Sequence, residues 1–333
     1  MDSEKKISVV IPNYNNSETI GKCLEAVFSS RYKNFEVIVV DDHSEDNSPE
    51  IIKRFPCKLI CLEKHSGTSK ARNTGAQNNS GEIIFFTDAD CLLNENALST
   101  ANRTLSSSRP DVVIGGTYTR MPYDKGFFSI FQSVFINYSE TKKLKNPDYI
   151  AAHAMIIGAQ TFKETGGFPE DFMPIIEDVE FSHRLRRKGF KLIMNPEIQV
   201  QHIFNFTLLK SLQNAMRKSM YWIMYSLKNR DLFSDSGTAS SELKVNVASY
   251  FLSLFFLLLW ILLQKPVFLI PIPLIFIFNI FISRRFLKVL YETGGMLFTV
   301  PASLYYTMLY PLPVGIGVLA GTINFLLKKG DLK

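Results

Sequence analysis

The chain has 333 residues, 46% of them hydrophobic, a formal net charge of +6 and four cysteines, a length that allows one large domain or two smaller ones. Cys23, Cys57, Cys61 and Cys91 form no C-x-x-C pair and lack histidines at zinc-site spacing, which argues against a zinc site and for free, buried thiols. The positive charge does not argue for nucleic acid, because the cations gather near apolar C-terminal segments, where anionic head groups would attract them.

The opening "MDSEKKISVVIPNYN" passes from charge directly into a strand-like run, with no apolar signal region or cleavage site, so a cytosolic location is expected for the N-terminal domain. "KISVVIP" predicts a strand, and "SETIGKCLEAVFSS" a helix with Ile20, Leu24, Val27 and Phe28 on its apolar face. "FEVIVVDD", "CKLICLE" and "GEIIFFTDAD" predict three more strands, separated by helices over "SPEIIKRF" and "GTSKARNTGAQNN". Near-continuous apolar strands alternating with helices imply a mostly parallel sheet covered on both faces. In such sheets ligands bind beyond the carboxyl ends of the strands, so "PNYN", "DDHS" and "TDAD" should share one rim.

Asp88 and Asp90 lie one residue apart at the end of the fourth strand, where together they can reach one hard cation, magnesium or manganese. The plainer alternative is that they cap the helix predicted over "NENALSTANRTL". Further on, "IIEDVEFSHRLRRKGF" predicts a helix that buries Phe181 and Leu185 and pairs Glu180 with Arg184. Its acidic start and basic end suit the helix dipole without any chemistry. "IQVQHIF" predicts the last strand before residue 205.

"TLLKSLQNAMRKSMYWIMYSLKNRDLF", Thr207 to Phe233, reads as an interfacial helix with Tyr221, Trp222 and Tyr225 at head-group depth, and a core helix is the alternative. "SDSGTASSE" reads as a flexible link. The next run, "VNVASYFLSLFFLLLWILLQ", carries no charge over about 20 residues, enough to cross a bilayer. A second run covers Pro266 to Ile282, and a third, Met296 to Leu327, is interrupted at Pro311-Leu312-Pro313 and reads as either a kinked or a re-entrant span. Lys210, Arg217, Lys218, Lys228 and Arg230 before the first span, and Arg284, Arg285 and Lys288 after the second, place those ends in the cytosol. Lys328 and Lys329 favour a cytosolic C-terminus, and Gly317 and Gly321 form a G-x-x-x-G pair that can bring helices close.

The succession "SVVIPNYN…VIVVDDHSED…GTSKARNTGAQNNSGEIIFFTDAD…GGFPEDFMPIIEDVEFSHRLRRKGF" resembles the family-2 glycosyltransferases of the GT-A fold over about residues 5–205. The resemblance implies an α/β, Rossmann-like nucleotide-sugar domain that transfers a sugar with inversion, using Mn2+ or Mg2+. It implies that Pro12, Tyr14 and Asn15 surround the nucleotide base, with Tyr14 stacked on uracil, and that Asp42 accepts a hydrogen bond from base or ribose. Asp41 then serves the loop's own backbone. Lys70 and Arg72 would reach uracil or pyrophosphate, and Gly67 would give a tight approach. Asp90 would bind the metal directly, Asp88 would bind the sugar or the metal through water, and His202 would meet metal or diphosphate. Asp178 would be the base for the attacking hydroxyl, with Glu177 orienting the acceptor or bracing the loop, and Gly166, Gly167 and Phe168 would shape the acceptor end of the pocket.

One departure matters. The processive relatives' Q-x-x-R-W motif is absent, since Gln213, Arg217 and Trp222 have the wrong spacing, so transfer of one sugar per encounter is expected. The expected organisation is a glycosyltransferase domain over 1–205, an interfacial helix and linker over 206–244, and a transmembrane region over 245–333. A nucleotide sugar, with UDP as its nucleotide, would be the donor and a lipid or lipid-linked saccharide the acceptor, on an integral membrane protein whose catalytic domain is cytoplasmic. A bare polyprenyl-phosphate acceptor and an inert nucleotide-sugar-binding scaffold are the alternatives.

Overall fold

The apolar run "ISVVIPN" folds as β1 (Ile7–Asn13) and is buried at every position. A computed structural model of the chain describes residues 4–171, 175–232 and 234–327. β1 pairs in parallel with β2 (Phe35–Asp41) and with β4 (Ile83–Phe86), and β2 pairs in parallel with β3 (Lys58–Cys61). Each of these connections is a crossover helix: α1 (Ile20–Phe28), α2 (Ser48–Ile52) and α3 (Thr68–Gln77). The eight-stranded order β3-β2-β1-β4-β7-β6-β8-β5 is completed by β5 (Cys91–Leu93), β6 (Val112–Tyr118), β7 (Met155–Gly158) and β8 (Lys191–His202). β7 is antiparallel to both β4 and β6, β6 and β8 are parallel, and β5 is antiparallel to β8. The fold is a mixed α/β sheet of the GT-A type with C-terminal helices.

Between β5 and β6 runs α4 (Ala97–Ser106), and α6 (Ala159–Thr165) and α7 (Glu177–Arg187) lie between β7 and β8. Phe181 and Leu185 of α7 are fully buried, as the helical period predicts, and Glu180 meets Arg184 at 3.2 Å. Phe86, Phe162, Phe168 and Phe181 form an aromatic cluster with ring centroids 4.9–5.6 Å apart, within the range that favours aromatic pairs. This core lies beneath the rim where the strands end, so it supports the side chains there.

Two compact units emerge. The first holds the chain up to Lys125 together with Glu140–Asn205. The second holds Gly126–Ser139, most of α5 (Phe127–Thr141), with the chain from Phe206 onward. The expected division at 205 therefore misses α5, whose uncharged, aromatic sequence "FFSIFQSVFIN" suits the helical unit better than a sheet face.

In the helical unit, α8 (Leu208–Asn229) begins at Thr207, whose hydroxyl accepts from the Lys210 amide. Trp222 and Tyr225, expected at head-group depth, are buried within the protein, because α8 packs along α11 (Pro311–Leu327). Its close approach rests on glycine: a Cβ at Gly317 or Gly321 would collide with the Met216 and Met220 carbonyl oxygens of α8. The G-x-x-x-G pair thus packs one helix on another. The stretch "SDSGTASSE" is not a loose link. The Ser241 amide donates to Asp235 at 3.0 Å, and Ser240 caps α9 (Ser241–Leu263) through the Leu243 amide.

α10 (Pro271–Leu304) runs helically through Arg284, Arg285 and Lys288, between the second and third apolar runs, and breaks its helical backbone at Gly295, with φ +64°. A π-helical turn, Tyr305–Leu309, follows before α11. Ser241–Leu263 and the run Pro266–Leu327 are the two stretches long and apolar enough to cross a membrane among the described residues. Lys328 and Lys329 lie outside the described residues.

Because both glycines face backbone oxygens that cannot swing aside, Gly321→Ala should lower unfolding stability in detergent by about 1–3 kcal/mol, the ordinary range for overpacking. Thermal unfolding of the full chain measures this, and an unchanged melting temperature would contradict the close α8–α11 approach.

Candidate functional site

At the β1–β2 end of the rim the side chains bind one another before they could bind anything else. Asn13 donates to Asp41 at 2.7 Å, and Asp41 also accepts from the Ser44 amide and hydroxyl at 3.0 and 2.6 Å. Asp41 therefore holds its own loop. Pro12, the last residue but one of β1, is buried. Asn15, in the left-handed region with φ +52°, accepts from the Glu45 amide at 2.8 Å and ties the two loops together. Asp42 is buried and accepts from the amides of Ser66 and Gly67 at 2.7 and 2.8 Å, with His65 Nδ1 at 2.9 Å. The carboxylate expected on base or ribose thus shapes the turn into α3. Gly67 has φ +91°, a conformation that L side chains rarely adopt. Tyr14, 40% exposed, lies against the His65 ring with centroids 4.1 Å apart. This paired aromatic surface was not foreseen, because His65 lies outside any motif.

Arg72 is the centre of the site. The sequence allows an exposed helix face or a cation for the donor's phosphates, but the side chain is only 4% exposed. Its Nη2 donates to Asp88 at 2.7 Å and its Nη1 to Glu177 at 2.5 Å, so both terminal nitrogens are taken by protein carboxylates. The guanidinium sits 5.5 Å from the Phe168 ring centroid. Burial works against its charge, but Asp88 and Glu177 more than offset this and hold its pKa above the ordinary value. Beside it, Asn73 accepts from the Phe168 amide and donates to the Phe168 carbonyl, each at 2.8 Å, which fastens the "GGFPE" turn to α3. Lys70 is partly exposed and pairs with Glu170 at 3.1 Å.

Asp88 and Asp90 do not cap α4, whose N-cap is Asn96 with no capping side-chain bond. Between them and the helix lies β5, and its register with β8 sets Cys91 opposite His202. The Ile203 amide also donates to the Asp90 carbonyl at 2.9 Å. As a result His202 Nε2 lies 3.4 Å from Asp90 Oδ2, while Asp88 turns an oxygen to Arg72. Burial tends to raise both carboxyls. Arg72 overcomes it at Asp88, whose pKa falls, whereas Asp90 rises because the Asp88 charge adds to burial and His202 compensates only in part.

Asp90, Cys91 and His202 bring ligand atoms within 4.8 Å of one another. Burial, reinforced by Asp90 and Asp88, keeps the Cys91 thiol protonated, so it is a poor ligand. A carboxylate beside an imidazole is a donor set that fits a divalent ion such as Mn2+. Asp88, expected as a second metal ligand, is committed on one oxygen to the guanidinium.

Asp178 opens α7 with Glu177. The residue before them, Ile176, is buried at φ +66°, a costly conformation for a β-branched side chain. Asp178 accepts from the Ala152 amide at 3.2 Å and from its neighbour Val179 at 2.9 Å. Burial, with the charge of Glu177, raises its pKa to about 6. Glu177 is the brace, held on Arg72. Sequence reasoning missed His153, a buried imidazole stacked on Tyr118 at 4.0 Å with Nε2 3.5 Å from Glu140. Thr117 donates to the same glutamate at 2.7 Å. Burial would lower the His153 pKa, but Glu140, then Asp88 and Asp178, raise it. No spacing in the sequence links residues 117, 140 and 153.

Residues 8–163 match the family described as "Glycosyl transferase family 2". Glycosyltransferase GlyA of Streptococcus pneumoniae serotype 4 is 30% identical over 177 residues, 48% of this chain and 25% of the relative. Glycosyltransferase AglE of Haloferax volcanii is 26% identical over 238 residues, 68% of this chain and 78% of the relative. The chain thus spans a quarter of the length of GlyA and about three quarters of AglE. Among solved structures, the mannosyltransferase PcManGT from Pyrobaculum calidifontis, in complex with GDP-Man and Mn2+, superposes with a TM-score of 0.59. That likeness covers 98% of this chain and 88% of PcManGT at 16% identity, and is one of fold.

Removing one partner from a buried ion pair leaves an uncompensated charge, so Arg72→Met should cost about 3–5 kcal/mol in denaturant unfolding. Arg72→Lys should recover only part of this, because one ammonium cannot reproduce the forked contact. A loss below about 1 kcal/mol, the value of an exposed pair, would contradict the bridge.

Proposed function

For a chain whose residues 8–163 are a glycosyltransferase family 2 domain, we propose transfer of one sugar, with inversion, from a nucleotide-sugar donor to a hydroxyl acceptor at this rim. The observation that carries the reading is Asp178, a carboxyl raised to about 6 and held by the Ala152 amide, next in sequence to the Glu177 that Arg72 joins to Asp88. A base poised near neutrality is what a hydroxyl nucleophile needs, since it must lose its proton as it attacks. A bare phosphate acceptor carries its own charge and needs no such group, and an inert scaffold has no use for one.

The chain's own residues divide the work. Tyr14 with His65 offers an aromatic face to the base of the nucleotide, here taken to be uracil, and Asp42 shapes the Gly67 turn beside it. Asp90 and His202 would hold a divalent cation, Mn2+ or Mg2+, which supplies neutralising charge for the departing diphosphate. Arg72 keeps Asp88 and Glu177 at fixed positions, so Asp90 and Asp178, their near neighbours in sequence, are fixed too. Asp178 takes the acceptor proton. Lys70, paired with Glu170, would lend its charge to the donor's diphosphate.

The acceptor is proposed to be a lipid or lipid-linked saccharide, and the protein an integral membrane protein with this site on the cytoplasmic side. Support comes from the large apolar side chains left exposed on α9, α10 and α11, including Leu262 at 67% and Leu297 at 95%. Exposed apolar surface of that extent is unfavourable in water and favourable in a bilayer. The cations from Lys210 to Arg230, before the first span, support the orientation.

Asp178→Asn should reduce transfer about 10²–10⁴-fold while donor binding persists. In the unaltered enzyme the carboxylate is the working form, so kcat/KM should rise about tenfold per pH unit below roughly 6 and level off above it. A flat profile, or full transfer by Asp178→Asn, would sink the base role. Asp90→Asn should abolish stimulation by Mn2+ in donor hydrolysis, measured by release of nucleoside diphosphate, and persistence of that stimulation would remove Asp90 from the cation site.

A further inference from the structure

Besides Arg72 and its two acids, the first unit buries the pair His153–Glu140. His153 is 7% exposed and Glu140, in the last turn of α5, 8%. His153 Nε2 lies 3.5 Å from Glu140 Oε1, while Oε2 of the same carboxylate accepts from the Thr117 hydroxyl at 2.7 Å. The Tyr118 ring stacks on His153 with centroids 4.0 Å apart and meets His202 nearly at right angles, at 5.0 Å. Stability alone does not call for such a pair, because apolar residues of similar volume commonly serve a core as well or better.

The place of the pair in the sheet supplies a reason. His153 belongs to the short 3-10 turn Ala152–Ala154, which runs into β7. Met155, the first residue of β7, is opposite Phe86 on β4 and Gly115 on β6. β4 and β7 are antiparallel, so Asp88 follows Phe86 at the same end where His153 precedes Met155, each by two residues. Gly116 on β6 keeps the turn close, since a Cβ there would meet the Ala154 Cβ at 2.9 Å and the Ile198 carbonyl oxygen at 2.5 Å. The Ala152 amide, one residue before His153, donates to Asp178 Oδ2 at 3.2 Å.

Asp178 needs positive charge that Arg72 supplies only in part. The terminal nitrogens of Arg72 are bonded to Glu177 and Asp88, and the hydrogen bonds that Asp178 accepts come from the amides of Ala152 and Val179. Burial and Glu177 raise the proton affinity of Asp178, while Arg72, the Ala152 amide and His153 lower it. In return His153 is held above the ordinary histidine value by Glu140, then by Asp88 and Asp178, against its own burial. Among the described residues, the titratable groups around this ring are Glu140 from α5, Asp88 from the end of β4, Asp178 from α7 and Tyr118 from β6. An opposite charge nearby favours the ionised form of a buried carboxyl. We propose that His153, kept charged by Glu140, is a positioning residue of the transfer: the imidazolium and the Ala152 amide hold Asp178 as the carboxylate that receives the acceptor proton. The inference rests on the base reading of Asp178 above, and adds the pair that sets how strongly this base holds its proton.

The full chain in detergent with Mg2+, labelled with 13C at the aspartate side-chain carboxyl and at histidine Cε1, reports both protonations by NMR as pH is varied. The Asp178 signal is the one lost in Asp178→Asn, and the His153 signal is the one that Glu140→Gln moves to a lower midpoint. His153→Gln should raise the Asp178 midpoint, about 6 in the starting protein, by about one pH unit, which is about tenfold in proton affinity. Coupling between two sites is reciprocal, so Asp178→Asn should lower the His153 midpoint by the same amount. That variant keeps the side chain's shape and decides the matter if His153→Gln does not fold. Unmoved midpoints, or a His153 ring already neutral at about pH 6, would overturn the proposal. Transfer by Asp178→Asn separates the two readings. If transfer is lost while the midpoints stay put, this inference alone fails, and full transfer overturns the base role and this inference with it.

Discussion

A guanidinium buried to 4% exposure between two carboxylates is the constraint on which the rest of the site depends. Arg72 cannot lose its proton and cannot be left unpaired without a large penalty, so the chain must bring Asp88 and Glu177 to it from positions 16 and 105 residues away. One of these carboxylates follows β4 and the other opens α7. Joining them ties the end of β4 to the start of α7, and with them the neighbours Asp90 and Asp178. Phe168 beneath the guanidinium and Asn73 beside it hold the arginine from below, so the aromatic core and the polar rim are mechanically one structure.

The same constraint separates the chemistry of three nearby carboxylates. Asp88 spends its charge on Arg72 and is held ionised. Asp90, with a histidine for a neighbour, keeps a higher proton affinity than a free aspartate. Asp178 is raised to about 6 by burial and by the adjacent Glu177. Neighbouring acids with different proton affinities can serve different roles, one structural, one for metal and one for proton transfer. Ile176, in a backbone conformation that suits glycine or asparagine better, supports this view, since strain persists where position matters more than stability.

Much of this was legible in the sequence where the signal is local. The parallel half of the sheet follows from four apolar runs with helices between them, and the acid pair at the end of β4 stands out against its buried strand. The α7 face follows from Phe181 and Leu185. What could not be read depends on long-range pairing. The register of β5 with β8, which carries His202 to Asp90, joins residues over 100 positions apart. An arginine in a polar helix gives no sign that it is buried until its two partners arrive from elsewhere. His153, Glu140 and Thr117 come from separate elements and share no motif. In the helical unit, three cations spread over five positions separate two apolar runs without ending the helix that carries them. α5 was assigned to the wrong unit because an uncharged aromatic helix reads the same way in either.

The account is tested most directly by a structure of the protein with Mn2+ and a nucleoside diphosphate bound. The ion should lie on the Asp90 carboxylate with the diphosphate against it, Asp178 should face the vacant acceptor side, and Arg72 should still bridge Asp88 and Glu177. An ion held elsewhere, or an Arg72 released from both acids to grip the diphosphate, would contradict it.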